Sequence, residues 1–331
     1  MKKASTKSLV TKNKELDEQL KRRQARFRVL VCINGEDASY ESVKLAAKLC
    51  ENEISDIVLL YVRRIDQGMN AGGLQVRVAR RNLLEWGLEL PGIKYLKRGF
   101  DMLLEEGFLG DEWEEHISHT DVFGDPLGDN KVEYRGKNGR RIVLKLKTAP
   151  DISSGILHQY ELGPYNMIFM GPHIQWTTNW RAAFVPNTVQ KIASLAPATV
   201  MTVRGTNQGK GYLLSTDGSP HSVSAKKRGA VIAHILGEPV RILGTADDDS
   251  DMDNLQKNID ALHKDLEKSG IVVDDSKVIV GDPVRSTIEA GNSCAAIVVS
   301  DRQTSRLARF FKGSIAFDIM HLSTTSVLNV R

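Results

Sequence analysis

The sequence predicts an α/β protein of two tandem open parallel five-stranded sheets, each with helices on both faces. Three observations lead there: apolar runs alternate with helical stretches, the alternation restarts past the middle of the chain, and both halves close on the same short segment. The run RVLVCIN (28–34) is apolar almost throughout and ends in a Gly35 turn, and the helical stretch 41–50 follows. A strand without polar alternation is one covered on both faces, as in a parallel sheet. Runs at 56–62, 142–147, 165–171 and 199–204 complete five strands in β-α alternation. The same grammar returns at 211–219, 240–245, 277–283, 295–300 and 326–331, with helical stretches at 224–236 and 252–269. KIASLAPATVMTVR (191–204) and DIMHLSTTSVLNVR (318–331) share a helix end, a small-residue turn and a strand closing on Val-Arg. At 331 residues the chain has room for two cores. The expected layout is a basic arm over 1–25, a first domain over 26–204, a polar linker over 205–210 and a second domain over 211–331.

Composition narrows the function. Hydrophobic residues make up 41% and charged residues 26% of the chain, ordinary for a globular protein. No stretch approaches the roughly 20 apolar residues that span a bilayer. The first residues are basic but lack the apolar core of a secretory signal, so a cytoplasmic protein without membrane insertion is expected. Cys32, Cys50 and Cys294 are odd in number and widely spaced, which suits small buried hydrophobes better than a disulfide framework or a zinc site. The net charge of +4 hides an asymmetry: residues 1–28 carry ten Lys or Arg against Glu15, Asp17 and Glu18. A basic arm on a slightly acidic body does not match a dedicated nucleic-acid-binding surface. The arm reads either as a disordered tail or as a helix, with Leu9, Leu16 and Leu20, that forms against another surface.

The halves differ most between their second and third strands, where 63–140 stands against 245–276, an excess of 46 residues. An insertion at about 86–134 is expected to hold it. The excess carries Trp86, Tyr95, Phe100, Phe108, Trp113, Phe123 and Tyr134, and a hairpin-like VEYRGKNGRRIVL (132–144) whose Asn138-Gly139 suits a tight turn. The rings read as packing over an enlarged core, or as a surface with a function of its own.

Other clusters yield to plainer readings. Asp247, Asp248, Asp249, Asp251 and Asp253 lack the Gly and Glu of a calcium loop and suit the cap of the following helix. His116 and His119, beside Glu114 and Glu115, would share one face of a helix; with no third ligand nearby they read as a solvated face, and no metal site is expected. Nucleophile-elbow, zincin and P-loop motifs are absent.

In the second half, Ser215-Thr216-Asp217-Gly218-Ser219 ends the first strand, Gly281-Asp282-Pro283 the third and Ser300 the fourth, while Gly313-Ser314 opens the last helix. In that order and spacing, residues 211–331 resemble the universal stress protein family. The first half resembles it more loosely, through Ile33-Asn34-Gly35, Met170-Gly171-Pro172 and the closing helix and strand. The resemblance implies an adenine-nucleotide cleft, for ATP or a relative, at the carboxyl ends of strands one and four. It would be lined by Ser215 and Thr216, with Asp217 on the adenine, Thr245 beside the base, and Gly313-Ser314 at the phosphates. One departure falls in the phosphate loop, where Ser300 and Gln303 replace two glycines; Arg302, Arg306 and Arg309 then read as phosphate contacts or as a solvated basic loop. In the first half, Asn34 replaces the aspartate, Ile174 the second glycine, and Pro186-Asn187 the Gly-Ser, so no ligand is expected there.

Family members pair their last strands to dimerise, so 199–204 and 326–331 are expected to pair antiparallel within the chain, an internal pseudo-dimer. The function implied is a non-catalytic, adenine-nucleotide-responsive binding or regulatory protein of the stress response. The alternative is a nucleotide-independent scaffold that binds a protein partner through the insertion and the arm, surfaces also open to further oligomerisation. Weak ATP hydrolysis has no identifiable general base.

Overall fold

The computed structural model describes residues 25–51, 54–65, 91–122, 125–171, 188–205, 209–246, 248–300 and 314–331. The basic arm, Trp86 and Phe123 lie outside them.

The expected α/β class is what forms, and the two sheets join edge to edge into one continuous sheet. Its twelve strands are β1 (Phe27–Cys32), β2 (Ser55–Arg64), β3 (Trp113–Val122), β4 (Asp125–Gly136), β5 (Arg141–Ala149), β6 (Met167–Met170), β7 (Thr199–Thr202), β8 (Tyr212–Thr216), β9 (Val240–Ala246), β10 (Val273–Val280), β11 (Ala296–Ser300) and β12 (Ser326–Val330). They run in the order β10-β9-β8-β11-β12-β7-β6-β1-β2-β5-β4-β3. The second half supplies the five strands expected. The first supplies seven, because β3 and β4 form an antiparallel hairpin that extends the sheet beyond β5. Asn138-Gly139 turns the chain from β4 into β5 as expected, with Gly139 at φ 85°.

Eight helices are described: α1 (Asp37–Leu49), α2 (Pro91–Glu105), α3 (Ile152–Glu161), α4 (Thr188–Leu195), α5 (Pro220–Ile235), α6 (Asp249–Lys268), α7 (Pro283–Gly291) and α8 (Ile315–Leu322). Strand side chains alternate between faces, so the central strands feed two cores. Val29, Val31, Ile57 and Leu59 meet Val43, Leu96 and Leu103 under α1 and α2, and the same cluster continues under α5 and α6. Leu30, Val58, Ile168 and Val299 face α3, α4 and α8. The aromatic residues of the first half's excess mostly pack: Phe100 stacks on Tyr134 at 4.1 Å between centroids and Trp113 meets Tyr134 edge-on at 5.2 Å.

The halves join where β7 pairs antiparallel with β12, the pairing expected of the two closing segments. Its register is symmetric under the repeat. Met201 faces Leu328, which occupies the same place in the other copy, with Val200 opposite Asn329 and Thr202 opposite Val327 on either side. The Val-Arg endings staple this seam. Arg204 donates to the Met320 carbonyl of α8 at 2.8 Å, and Arg331 donates to the Ala193 carbonyl, the corresponding position of α4, and to Ala196 O at 2.8 Å. Each arginine therefore sits on the carbonyl end of the other half's last helix, where a cation complements the helix dipole.

A crevice at the reversal of strand order

In the second half the chain passes from β8 to β9 on one side, while β11 lies on the other. Strand order thus reverses between β8 and β11, and such a reversal leaves a crevice at the carboxyl ends of the two strands. The equivalent place in the first half lies between β1 and β6.

At the end of β8, Asp217 Oδ1 accepts hydrogen bonds from Ser219 N at 3.0 Å and Ser219 Oγ at 2.7 Å. That closes an Asx turn and fixes an exposed carboxylate at the mouth. Ser219 also caps α5 by accepting from Ser222 N. Gly218 makes the turn at φ 70°, where a Cβ would lie 2.7 Å from Leu255 Cδ1. Thr216 is turned inward, 2.9 Å from Ser222 Oγ. The Ser215 hydroxyl is paired with Thr287 of α7 at 2.8 Å, which holds that helix to the sheet.

The register Thr216 to Gly244 places Thr245 opposite Asp217. Thr245 Oγ1 is buried and has no hydrogen-bond partner among the described residues. Such an atom costs about 1–3 kcal/mol until something pairs with it, so the residue expected to flank an adenine offers an unused polar atom. Ser300 ends β11, and none of the described non-glycine residues has a positive φ. Its backbone therefore does not need the freedom that its missing glycine would supply. Ser314 is the N-cap of α8. Arg302, Gln303, Arg306, Arg309 and Gly313 lie outside the described residues, as do Ile174, Pro186 and Asn187.

One residue at this crevice escaped the sequence reading. Lys226 is 1% exposed, and its Nζ donates to Ser300 Oγ at 3.2 Å. Burial pushes its amine from an ordinary 10.5 down to about 7, against a weaker upward pull from Asp217. The signal was periodicity: Ser222, Lys226, Ala230 and Ala233 share the buried face of α5, whereas neighbouring Lys227 reaches out to Asp265 at 2.7 Å.

The first-half crevice is built differently. Strand registers make Asn34 the counterpart of Asp217, Glu36 of Ser219, Val43 of Lys226 and Gly171 of Ser300. Asn34 Nδ2 donates to Glu36 Oε2 at 2.9 Å, and the Glu36 amide donates back to Asn34 Oδ1 at 3.0 Å. A Cβ on Gly171 would lie about as near to Asn34 Nδ2 as to Glu36 Oε2, at 3.8 and 4.0 Å. The Glu36 carboxylate thus stands between the ends of β1 and β6. Beneath Gly35, at φ 90°, lies the ring of Tyr95 from α2.

Elsewhere, Asp248 caps α6 by accepting from Ser250 N, as expected of the acidic run; Asp247 lies outside the described residues. Asp282 likewise caps α7 through Arg285 N. His116 and His119 sit on strand β3 and not on a helix, so their odd spacing sends them to opposite faces. No group of three His, Cys, Asp or Glu able to hold a metal occurs among the described residues. All three cysteines are buried and unbridged. No described helix is long and apolar enough to cross a membrane.

No protein-family model and no curated protein sequence matches this chain. Solved structures do. A candidate universal stress protein from Pseudomonas aeruginosa UCBPP-PA14 aligns with a TM-score of 0.57 and 11% identity over 93% of this chain and 94% of its own. A universal stress protein from Archaeoglobus fulgidus DSM 4304 aligns with a TM-score of 0.51 and 12% identity, over 92% and 96%. A functionally unknown protein from Pseudomonas aeruginosa PAO1 gives 0.57 and 12%, over 93% of each. The chain has the universal stress protein fold. These alignments run across both halves, so the resemblance read from 211–331 extends in three dimensions to the first half. At such identities the likeness is one of backbone. The universal stress protein fold supplies the crevices; what each accepts depends on the side chains just described.

Proposed function

We propose that the second-half crevice binds an adenine nucleotide, ATP or a relative, and that the protein acts by binding and not by turnover. The observation that carries this reading is the placement of Asp217 and Thr245 one residue beyond the last β8–β9 register pair, Thr216 with Gly244: a fixed acceptor for an exocyclic amine beside a buried hydroxyl that lacks a partner among the described residues. The first-half crevice presents an amide tied to the Glu36 carboxylate, which repels a phosphate chain, and is taken to be empty of nucleotide. The two repeats, over 26–204 and 211–331, then divide the work, one binding and one supporting.

Calorimetry and thermal unfolding with ATP, ADP, AMP and adenosine test this directly. A ligand at a hundred times its Kd stabilises the fold by about 2.7 kcal/mol, so millimolar nucleotide is expected to raise the melting temperature of the wild type and not that of Asp217→Ala. No heat and no shift with any of the four refutes the reading.

A second reading has one observation in its favour. Strand β3 is a sheet edge with Trp113 39% and Ile117 53% exposed, and an open edge is a place for a partner to dock. Its test is loss of a captured partner when the β3–β4 hairpin is replaced by a short turn. Removing all of 86–134 would also take Leu96, Phe100 and Leu103 from the core.

A further inference from the structure

A lysine is almost never fully buried unless something pairs with it. Lys226 offers three donors, and among the described residues one is used, on the neutral hydroxyl of Ser300. Asp217 is the only titratable group among them that acts on its charge, and it is exposed at the mouth with its Oδ1 already engaged by Ser219. Asp301 follows Ser300 in sequence and lies outside the described residues. The scaffold does not ask for a cation here, because the corresponding position in the first half is Val43, 1% exposed in an apolar core. What sets Lys226 apart is its place. Ser300 is half-buried at the end of β11, at the reversal of strand order, and it accepts from Nζ, which leaves its own hydroxyl proton available to donate.

We propose that Lys226 and Ser300 form an anion site at the β11 side of the second-half crevice, where the lysine supplies the positive charge and the serine hydroxyl the contact to a phosphate of the bound nucleotide. This inference rests on the nucleotide reading above and adds the group that recognises the phosphates. It also accounts for a phosphate loop whose sequence carries Ser300 and Gln303 in place of glycines: a buried ammonium takes over the electrostatic work of a glycine-lined backbone. An anion at the site favours the charged amine, so phosphate binding draws a proton from solvent.

The test is calorimetry on the full-length protein at pH 7.5 in two buffers of different ionisation heat, with ATP and adenosine as ligands. The difference in proton uptake between wild type and Lys226→Met removes the contribution of ATP itself. ATP is expected to draw a sizeable fraction of a proton into the wild type beyond that seen with Lys226→Met, and adenosine none. Lys226→Met is expected to lose about 10- to 100-fold in ATP affinity, the worth of a charge-assisted hydrogen bond, while adenosine affinity stays level. Ser300→Ala loses part of the ATP affinity. Unchanged adenosine binding also shows that the variants are folded. If ATP binds with equal proton uptake and affinity in wild type and Lys226→Met, this inference is overturned and the nucleotide reading stands. If neither ligand binds the wild type, both fall.

Discussion

The crevice between β1 and β6 and the crevice between β8 and β11 share a backbone and differ in their charges. Where the second half has Asp217 locked by Ser219 over a buried Lys226, the first has Asn34 tied to Glu36 over Val43. A carboxylate stands at the end of β6 and a buried lysine amine lies beneath the end of β11. The glycine that family resemblance associates with phosphate survives, as Gly171, in the half that carries the carboxylate. On the proposed reading, glycine content is the wrong guide to which crevice binds. The repeat leaves a scaffold with two crevices, and the proposal is that a few side chains decide which is used.

The largest effect expected from probing this contrast is on stability. The unfolded lysine holds its proton to about pH 10.5, whereas Lys226 in the fold holds it only below about 7. Unfolding therefore takes up a proton between those values, and wild-type stability rises with pH across that window and is lowest, for this group, below it. Lys226→Met, which brings the position closer to Val43, is expected to raise unfolding free energy at pH 7 by roughly 3 kcal/mol. The gain shrinks toward zero near pH 10.5 in urea melts at stepped pH. A variant no more stable than wild type would mean that the ammonium already has its counter-charge.

Smaller is the expected cost of unpicking what the first half has and the second lacks. In the hairpin, burial raises the carboxyl of Glu133, but hydrogen bonds and charge from Lys131 and Arg135 outweigh it and bring it to about 2. A depressed carboxyl stabilises above its unfolded value near 4.5 and loses that contribution as pH falls through 2. Glu133→Gln is expected to cost about 2 kcal/mol at pH 7, after a discount for partial solvent screening, and almost nothing at pH 2. Smallest of the three is Glu36→Ser, which installs the cap its counterpart Ser219 provides; α1 has no side-chain cap of its own. It should add about 0.5–1 kcal/mol, read as a shift in denaturant midpoint at constant slope.

The repeat was legible because buried parallel strands write themselves as apolar runs, and because the two closing segments match nearly residue for residue. The register at the seam keeps the symmetry of that match, since Met201 and Leu328 occupy one position of the repeat. The extra width of the first half was half legible: Asn138-Gly139 announced β4 and β5, but WEEHISHTDV does not read as a strand. With both faces of β3 exposed over most of its length, nothing forces its side chains to alternate. Asp217 and Thr245 were named from the family resemblance, and the structure places them at the carboxyl ends of β8 and β9. Ser215 and Thr216 alternate between the two faces of the sheet, so their hydroxyls reach α7 and α5, partners that a reading of strand ends alone does not supply. Lys226 was hidden by its neighbours: Lys226, Lys227 and Arg228 look like a solvated run, and only the helical period, counted from Ser222, turns the first of them inward.

Photolabelling with azido-ATP, followed by mapping of the labelled peptides, puts the contrast between the halves to its most direct test. Label confined to peptides from 211–246, competed by ATP and lost in Asp217→Ala, is the result expected. Label on peptides from 27–51, or equal label on both halves, would contradict the division of labour between the two crevices.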